Sequence, residues 1–121
     1  MKHKGFVIGI TSIIFLFTAI SVSAQGFTGP GSGLSLITIS EANKLRDHSP
    51  VLLRGNIIRS LDRKKEKFMF KDNTGEVVVE IDWHIWNGLS VNENDTVEIF
   101  GYIDKKGWWI EEIEVKSIKK L

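Results

Sequence analysis

The 121-residue chain has no cysteine, only two prolines, a single tyrosine and no large excess of either charge sign. Without cysteine it can form no disulfide, offer no thiolate to a metal or redox partner, and carry no lipoprotein-type acyl anchor. Stability must therefore come from packing. Histidine is scarce too: beyond His3, only His48 and His84 occur, and their separation suggests no shared metal. No serine sits in a glycine-flanked nucleophile elbow, so a catalytic triad has no anchor. Adjacent carboxylates such as Glu111 and Glu112 point to opposite faces of a strand. Glu80 and Asp82 share a face, but nothing in the sequence marks either as an acid of raised pKa. The expectation is a protein that is not an enzyme and needs no cofactor. The 16 basic and 15 acidic residues give a mixed, near-neutral surface, unlike a general nucleic-acid binder, whose affinity comes from phosphate neutralisation.

What the chain does have begins with a basic head, Met1-Lys2-His3-Lys4, followed by an apolar run from Phe6 to Ile20 broken only by Gly9, Thr11, Ser12 and Thr18. The run closes on Val22-Ser23-Ala24, with small residues where a signal peptidase reads, and turns polar at Gln25. This pattern predicts a signal peptide over residues 1–24, cleaved after Ala24, and hence export to the periplasm. The alternative, an uncleaved anchor, would need about 20 apolar residues and a basic stop-transfer cluster. The expected product has no stable membrane insertion. Cleavage removes Lys2 and Lys4, which turns a formal charge of +1 weakly negative. About 100 residues remain, the size of one domain.

Residues 25–36 are mostly Gly, Ser, Thr and Pro, with Phe27 a lone aromatic, and read as a flexible leader. The domain is expected over residues 37–121. Thr38-Ile39-Ser40-Glu41 is a capping box, and the spacing predicts a helix to about Asp47, stopped by Pro50. Strands follow at 51–61, 68–71, 77–82, 96–103 and 109–118. Gly55 lies inside the first of them, where a barrel strand bends or takes a close neighbour. Gly75 is placed to take positive φ in the Asp72-Asn73-Thr74-Gly75 turn. The segment 82–88 breaks the period of two and predicts one helical turn ended by Asn87-Gly88. Five strands with a helical segment between the third and fourth form a mostly β, five-stranded OB-fold Greek-key barrel. An SH3-like barrel would leave that aromatic insertion unexplained.

The pieces Gly26-Phe27-Thr28-Gly29-Pro30, Leu53-Arg54-Gly55-Asn56-Ile57, Phe70-Lys71-Asp72, Ile81-Asp82, Trp86-Asn87-Gly88, Asp95-Thr96-Val97-Glu98-Ile99 and Glu114-Val115-Lys116 follow one another in an order that resembles the bacterial OB-fold (BOF) family. The likeness is to its YgiW/YdeI group of periplasmic stress-tolerance proteins and spans nearly all of the chain after Ala24. The resemblance implies an OB-fold domain tied to envelope or oxidative stress tolerance, without an established enzymatic activity and with a ligand on the barrel face. The chain departs from the family pattern in Trp108-Trp109 and in the basic stretch Arg63-Lys64-Lys65.

In OB-folds the ligand face is formed by strands two and three, with the loops joining strands one to two and four to five. Arg63, Lys64, Lys65 and Lys67 fall in or beside the first loop, and Lys105, Lys106, Trp108 and Trp109 in or beside the second. These eight are the candidate ligand-binding residues: cations to hold an anion, and indoles to stack on a ring while their N–H groups donate to hydroxyls. The competing reading is that the loops are solvated, that Trp86 plugs the barrel end, and that strand alternation turns one of Trp108 and Trp109 inward. The expected partner is an envelope glycan, such as a peptidoglycan fragment, or another anionic small ligand. The alternative is an adaptor that docks on an envelope protein. Asp72, Asp82, Asp95 and Asp104, all at strand ends, read as turn residues rather than a cation cage.

Overall fold

The structure, a computed structural model, describes residues 33–121. The expected signal peptide and most of the expected leader lie outside the described residues. The elements are β1 (Leu36–Ile37), α1 (Ile39–Ala42), β2 (Pro50–Asp62), β3 (Lys67–Asp72), β4 (Gly75–Glu80), α2 (Trp83–Trp86), β5 (Val97–Lys106) and β6 (Trp109–Lys120).

β2 organises the barrel because it changes partner half-way. Residues 50–55 pair antiparallel with β5, and residues 56–62 pair antiparallel with β3. The exchange falls at Gly55 and Asn56. A Cβ on Gly55 would stand 2.2 Å from the Lys71 carbonyl oxygen, so only glycine lets the strand cross its neighbour this closely. β3 and β4 form a hairpin, β5 and β6 another, and β4 joins β6 in parallel through Val79↔Ile113 and Glu80↔Glu114, which closes the five strands into a ring. The order is that of an OB-fold.

The alternation read in β5 and β6 holds. Val97, Ile99, Gly101 and Ile103 are buried, and so are Ile113 and Val115, while Tyr102, Glu114 and Lys116 face out. With Phe70, Leu53, Val79 and Ile81 they form a core that contains no buried polar side chain among the described residues. Burying each large aliphatic or aromatic side chain contributes roughly 1.5–3 kcal/mol.

Three expectations change. The two-residue strand β1 was not anticipated; it pairs parallel with Leu52 and Leu53, and its Leu36 falls where the leader was drawn. The N-terminal helix has both halves of its capping box but ends at Ala42 rather than near Asp47, leaving looser turns to Leu45. Gly75 is not among the glycines of positive φ. The turn before it is held instead by Asp72, whose Oδ1 accepts from the Thr74 N–H and hydroxyl and from the Gly75 N–H. Its Oδ2 accepts from the Ile39 N–H at 2.8 Å, tying α1 to the barrel. The α2 terminus is as read: Asn87 and Gly88 both take positive φ.

Candidate functional site

The basic loop after β2 is shaped by its own backbone. Asp62 Oδ1 accepts from the Lys64 and Lys65 N–H groups, and the Glu66 N–H donates to the Arg63 carbonyl at 3.3 Å. Glu66 is left-handed at φ 58°, which turns its carbonyl to accept from the Ile81 N–H at 3.0 Å. That bond staples the loop to the end of β4, where the chain leaves for α2. Arg63 is thereby carried to the tryptophans of the crossover.

There, Arg63 lines a groove of about 290 Å³ with Ser60, Glu66, Phe68, Ile81, Trp83 and Trp86. Ile81 is fully buried and forms part of its floor. Trp86 packs half-buried against the core, edge-on to Phe68 at 5.5 Å. Trp83 lies 78% exposed, so its indole is free to cover a ligand. Lys64 and Lys65 are exposed on the same loop. The arrangement offers a cation, an apolar floor and an indole face within one small concavity, the combination that captures a ring bearing a negative charge.

The other predicted residues have different partners. Lys67 forms an ion pair with Glu112, which ties the foot of the basic loop to β6. The Glu112 hydrogen bond raises the Lys67 pKa against the opposing effect of burial. Lys105 donates from Nζ to the carbonyls of Asn43 and Leu45, filling acceptors left open where α1 ends. Lys106 stays mostly exposed, 3.8 Å from Glu111. Trp108 and Trp109 meet edge-on at 5.6 Å, and both are exposed, Trp108 at 82% and Trp109 at 48%. The expectation that alternation turns one inward fails for a simple reason. Gly107 and Trp108 are the two-residue turn between the paired Lys106 and Trp109, so Trp108 is not in a strand. Trp86, expected at the barrel end, packs partly buried against the core.

Acidic groups mostly hold structure. Arg54 donates to Glu98 at 2.8 Å and lowers its pKa, outweighing burial. The Asn92 N–H does the same for Asp95. Asp72 is pushed up by burial but drawn down further by its hydrogen bonds. Glu80 is raised, first by burial and then by the charges of Glu112 and Asp82. Among the described residues no group of three or more His, Asp or Glu side chains is placed to hold a metal ion. His48 and His84 are both exposed.

Residues 17–120 match the family described as bacterial OB fold (BOF) protein. The chain belongs to this family. It is 42% identical over 125 aligned residues to Protein YgiW of Escherichia coli (strain K12), an alignment covering 93% of this chain and 94% of YgiW. It is 31% identical to the calcium-regulated OB-fold protein CarO of Pseudomonas aeruginosa, over 79% of this chain and 80% of CarO. The solved structure of the hypothetical protein YgiW from E. coli superposes with a TM-score of 0.66 at 41% identity, covering 79% of this chain and 98% of that one. The sequence points to Trp108 and Trp109, whereas on this BOF barrel Phe68, Trp83 and Trp86 join Arg63. The signal for them was present in the aromatic insertion between the third and fourth strands. What was missing was the Glu66–Ile81 hydrogen bond that brings the basic loop to it.

Proposed function

We propose that this BOF protein is an exported, non-catalytic binding protein of the periplasm that captures an anionic glycan or small molecule, such as a peptidoglycan fragment, during envelope or oxidative stress. The observation that carries the reading is the groove in which Arg63 meets Trp83, Trp86 and Phe68. The guanidinium pairs with a carboxylate or phosphate, the exposed Trp83 face stacks on the ring, and Lys64 and Lys65 add attraction as the ligand approaches. Export rests on the N-terminal pattern of basic head, apolar run and Val22-Ser23-Ala24.

The test is a titration of purified protein with soluble peptidoglycan fragments, lipopolysaccharide and a neutral polysaccharide at low and raised salt, followed by tryptophan fluorescence. Saturable, salt-weakened binding to an anionic component with a change in tryptophan emission is expected. Equal affinity for the neutral polysaccharide, or no response to any of the three, would overturn the reading.

A further inference from the structure

β6 is covered on one side along its length by β5, from Lys106↔Trp109 to Val97↔Lys120. On its other side, among the described residues, it pairs only with Val79 and Glu80 of β4, through Ile113 and Glu114. β4 ends at Glu80, and Lys116 is an extra residue in the ladder, since Val115 opposes Gly101 while Ser117 opposes Phe100. Such a bulge bends its strand away from a partner. Beyond Glu114, β6 therefore has an edge with no strand beside it among the described residues. A groove of about 740 Å³ runs there, with residues 116–120 as one wall and residues 84–89 as the other. Ile118, Ile85 and Trp86 are partly buried against the core beneath it.

The groove wall has a single sign of charge. Lys116, Lys119 and Lys120 line it, and their partners Glu114, Glu98 and Asp95, at 3.1, 3.6 and 3.5 Å, lie outside the wall in partly exposed ion pairs that a bound carboxylate can displace. Lysines along an open edge repel another copy of the same edge, and the same charges admit a strand of opposite sign. A strand rises about 3.3 Å per residue, so the wall matches roughly five residues of an extended chain.

We infer that the open edge of β6 binds an acidic, extended peptide segment of a partner protein, which adds as a strand in the groove beneath α2. Backbone hydrogen bonds to residues 115–120 provide the affinity. Alternate apolar side chains of the peptide enter the groove towards Ile118 and Ile85, and its carboxylates meet Lys116 and Lys119. This surface shares only Trp86 with the Arg63 groove and does not depend on the ligand proposed there.

The probe is a fluorescein-labelled eight-residue peptide of alternating Val and Glu, capped at both ends, titrated by anisotropy and by amide NMR into the protein comprising residues 25–121. Saturable binding with shifts centred on residues 115–120 is expected. N-methylation of alternate peptide residues on one edge should weaken binding at least tenfold, and the same change on the opposite edge should leave it unchanged. Lys116→Glu with Lys119→Glu should weaken it at least fivefold, and Arg63→Glu should not. The N-methyl comparison uses the wild-type protein and so stands even if the lysine variants fail to fold. No binding, equal tolerance of methylation on both edges, or shifts centred on Arg63 and Trp83 would overturn the inference.

Discussion

Trp86 and Phe68 meet edge-on at 5.5 Å, at an interplanar angle of 74°, and so fasten the α2 crossover to the start of β3. The contact gives the two tryptophans of α2 opposite duties. Trp86 belongs to the fold, while Trp83, three residues earlier, stands out in solvent.

Truncating the two residues should separate those duties. Trp86→Ala is expected to cost about 3 kcal/mol, at the low end for a large aromatic because the residue is only partly buried. Trp83→Ala should change stability by less than about 0.5 kcal/mol, as expected for an exposed site. Urea unfolding of both variants checks the pair.

The close crossings of the barrel set a second prediction. A Cβ on Gly55 would lie 2.2 Å from the Lys71 oxygen, and one on Gly101 would lie 2.3 Å from the Glu114 oxygen. Both neighbours are backbone and cannot swing aside. Gly55→Ala and Gly101→Ala should each lose about 3 kcal/mol or more. Gly75→Ala, at a glycine without positive φ whose added Cβ would meet only Ile39 Cγ2 at an ordinary 3.7 Å, acts as the control for steric crowding.

The fold's acid sensitivity follows from three carboxylates. Asp72, Asp95 and Glu98 all have pKa values lowered in the folded state. Their stabilisation is present above the unfolded carboxylate range, near about pH 4, and is lost as pH falls through the lower folded values. Glu80 acts in the opposite sense: its raised pKa favours the folded state below the unfolded value, and that contribution is lost as pH rises through the folded one. Thermal unfolding between pH 2 and 7 should show a falling Tm below about pH 4. Asp72→Asn should flatten part of that fall, because it removes the carboxylate that joins α1 to the β3–β4 turn.

Lys105 and Lys106 are neighbours in sequence with unlike roles. Lys105→Met removes the donor to the Asn43 and Leu45 carbonyls and should cost about 1–2 kcal/mol. Lys106→Met, at an exposed ion pair of 3.8 Å, should be close to neutral. Denaturant midpoints of the two variants measure the difference.

Much of the barrel was legible because its signals are local. The two-residue period of 97–103, the Thr38–Glu41 capping box and the Asn87-Gly88 stop each depend on neighbours within a turn or a strand. The parts that were not legible depend on distant backbone. The parallel pairing of Leu36 and Ile37 has no pattern of its own in two residues, and past the end of α1 the Asn43 carbonyl accepts from Lys105, 62 positions on. The site followed the same division. Arg63, Lys64 and Lys65 could be seen as a basic loop, but the exposure of Trp108 depends on its being in the turn rather than the strand. Likewise, the meeting of Arg63 with Trp83 depends on Glu66 reaching Ile81.

The central claim is that the Arg63–Trp83 groove holds an anionic envelope ligand, and it is tested most directly by calorimetric titration of a soluble peptidoglycan fragment into the wild type, Arg63→Glu and Trp83→Ala. The account predicts saturable binding to the wild type, at least tenfold weaker binding to each variant, and unchanged Tm values. Variants that bind as well as the wild type, or a wild type that does not bind, would contradict it.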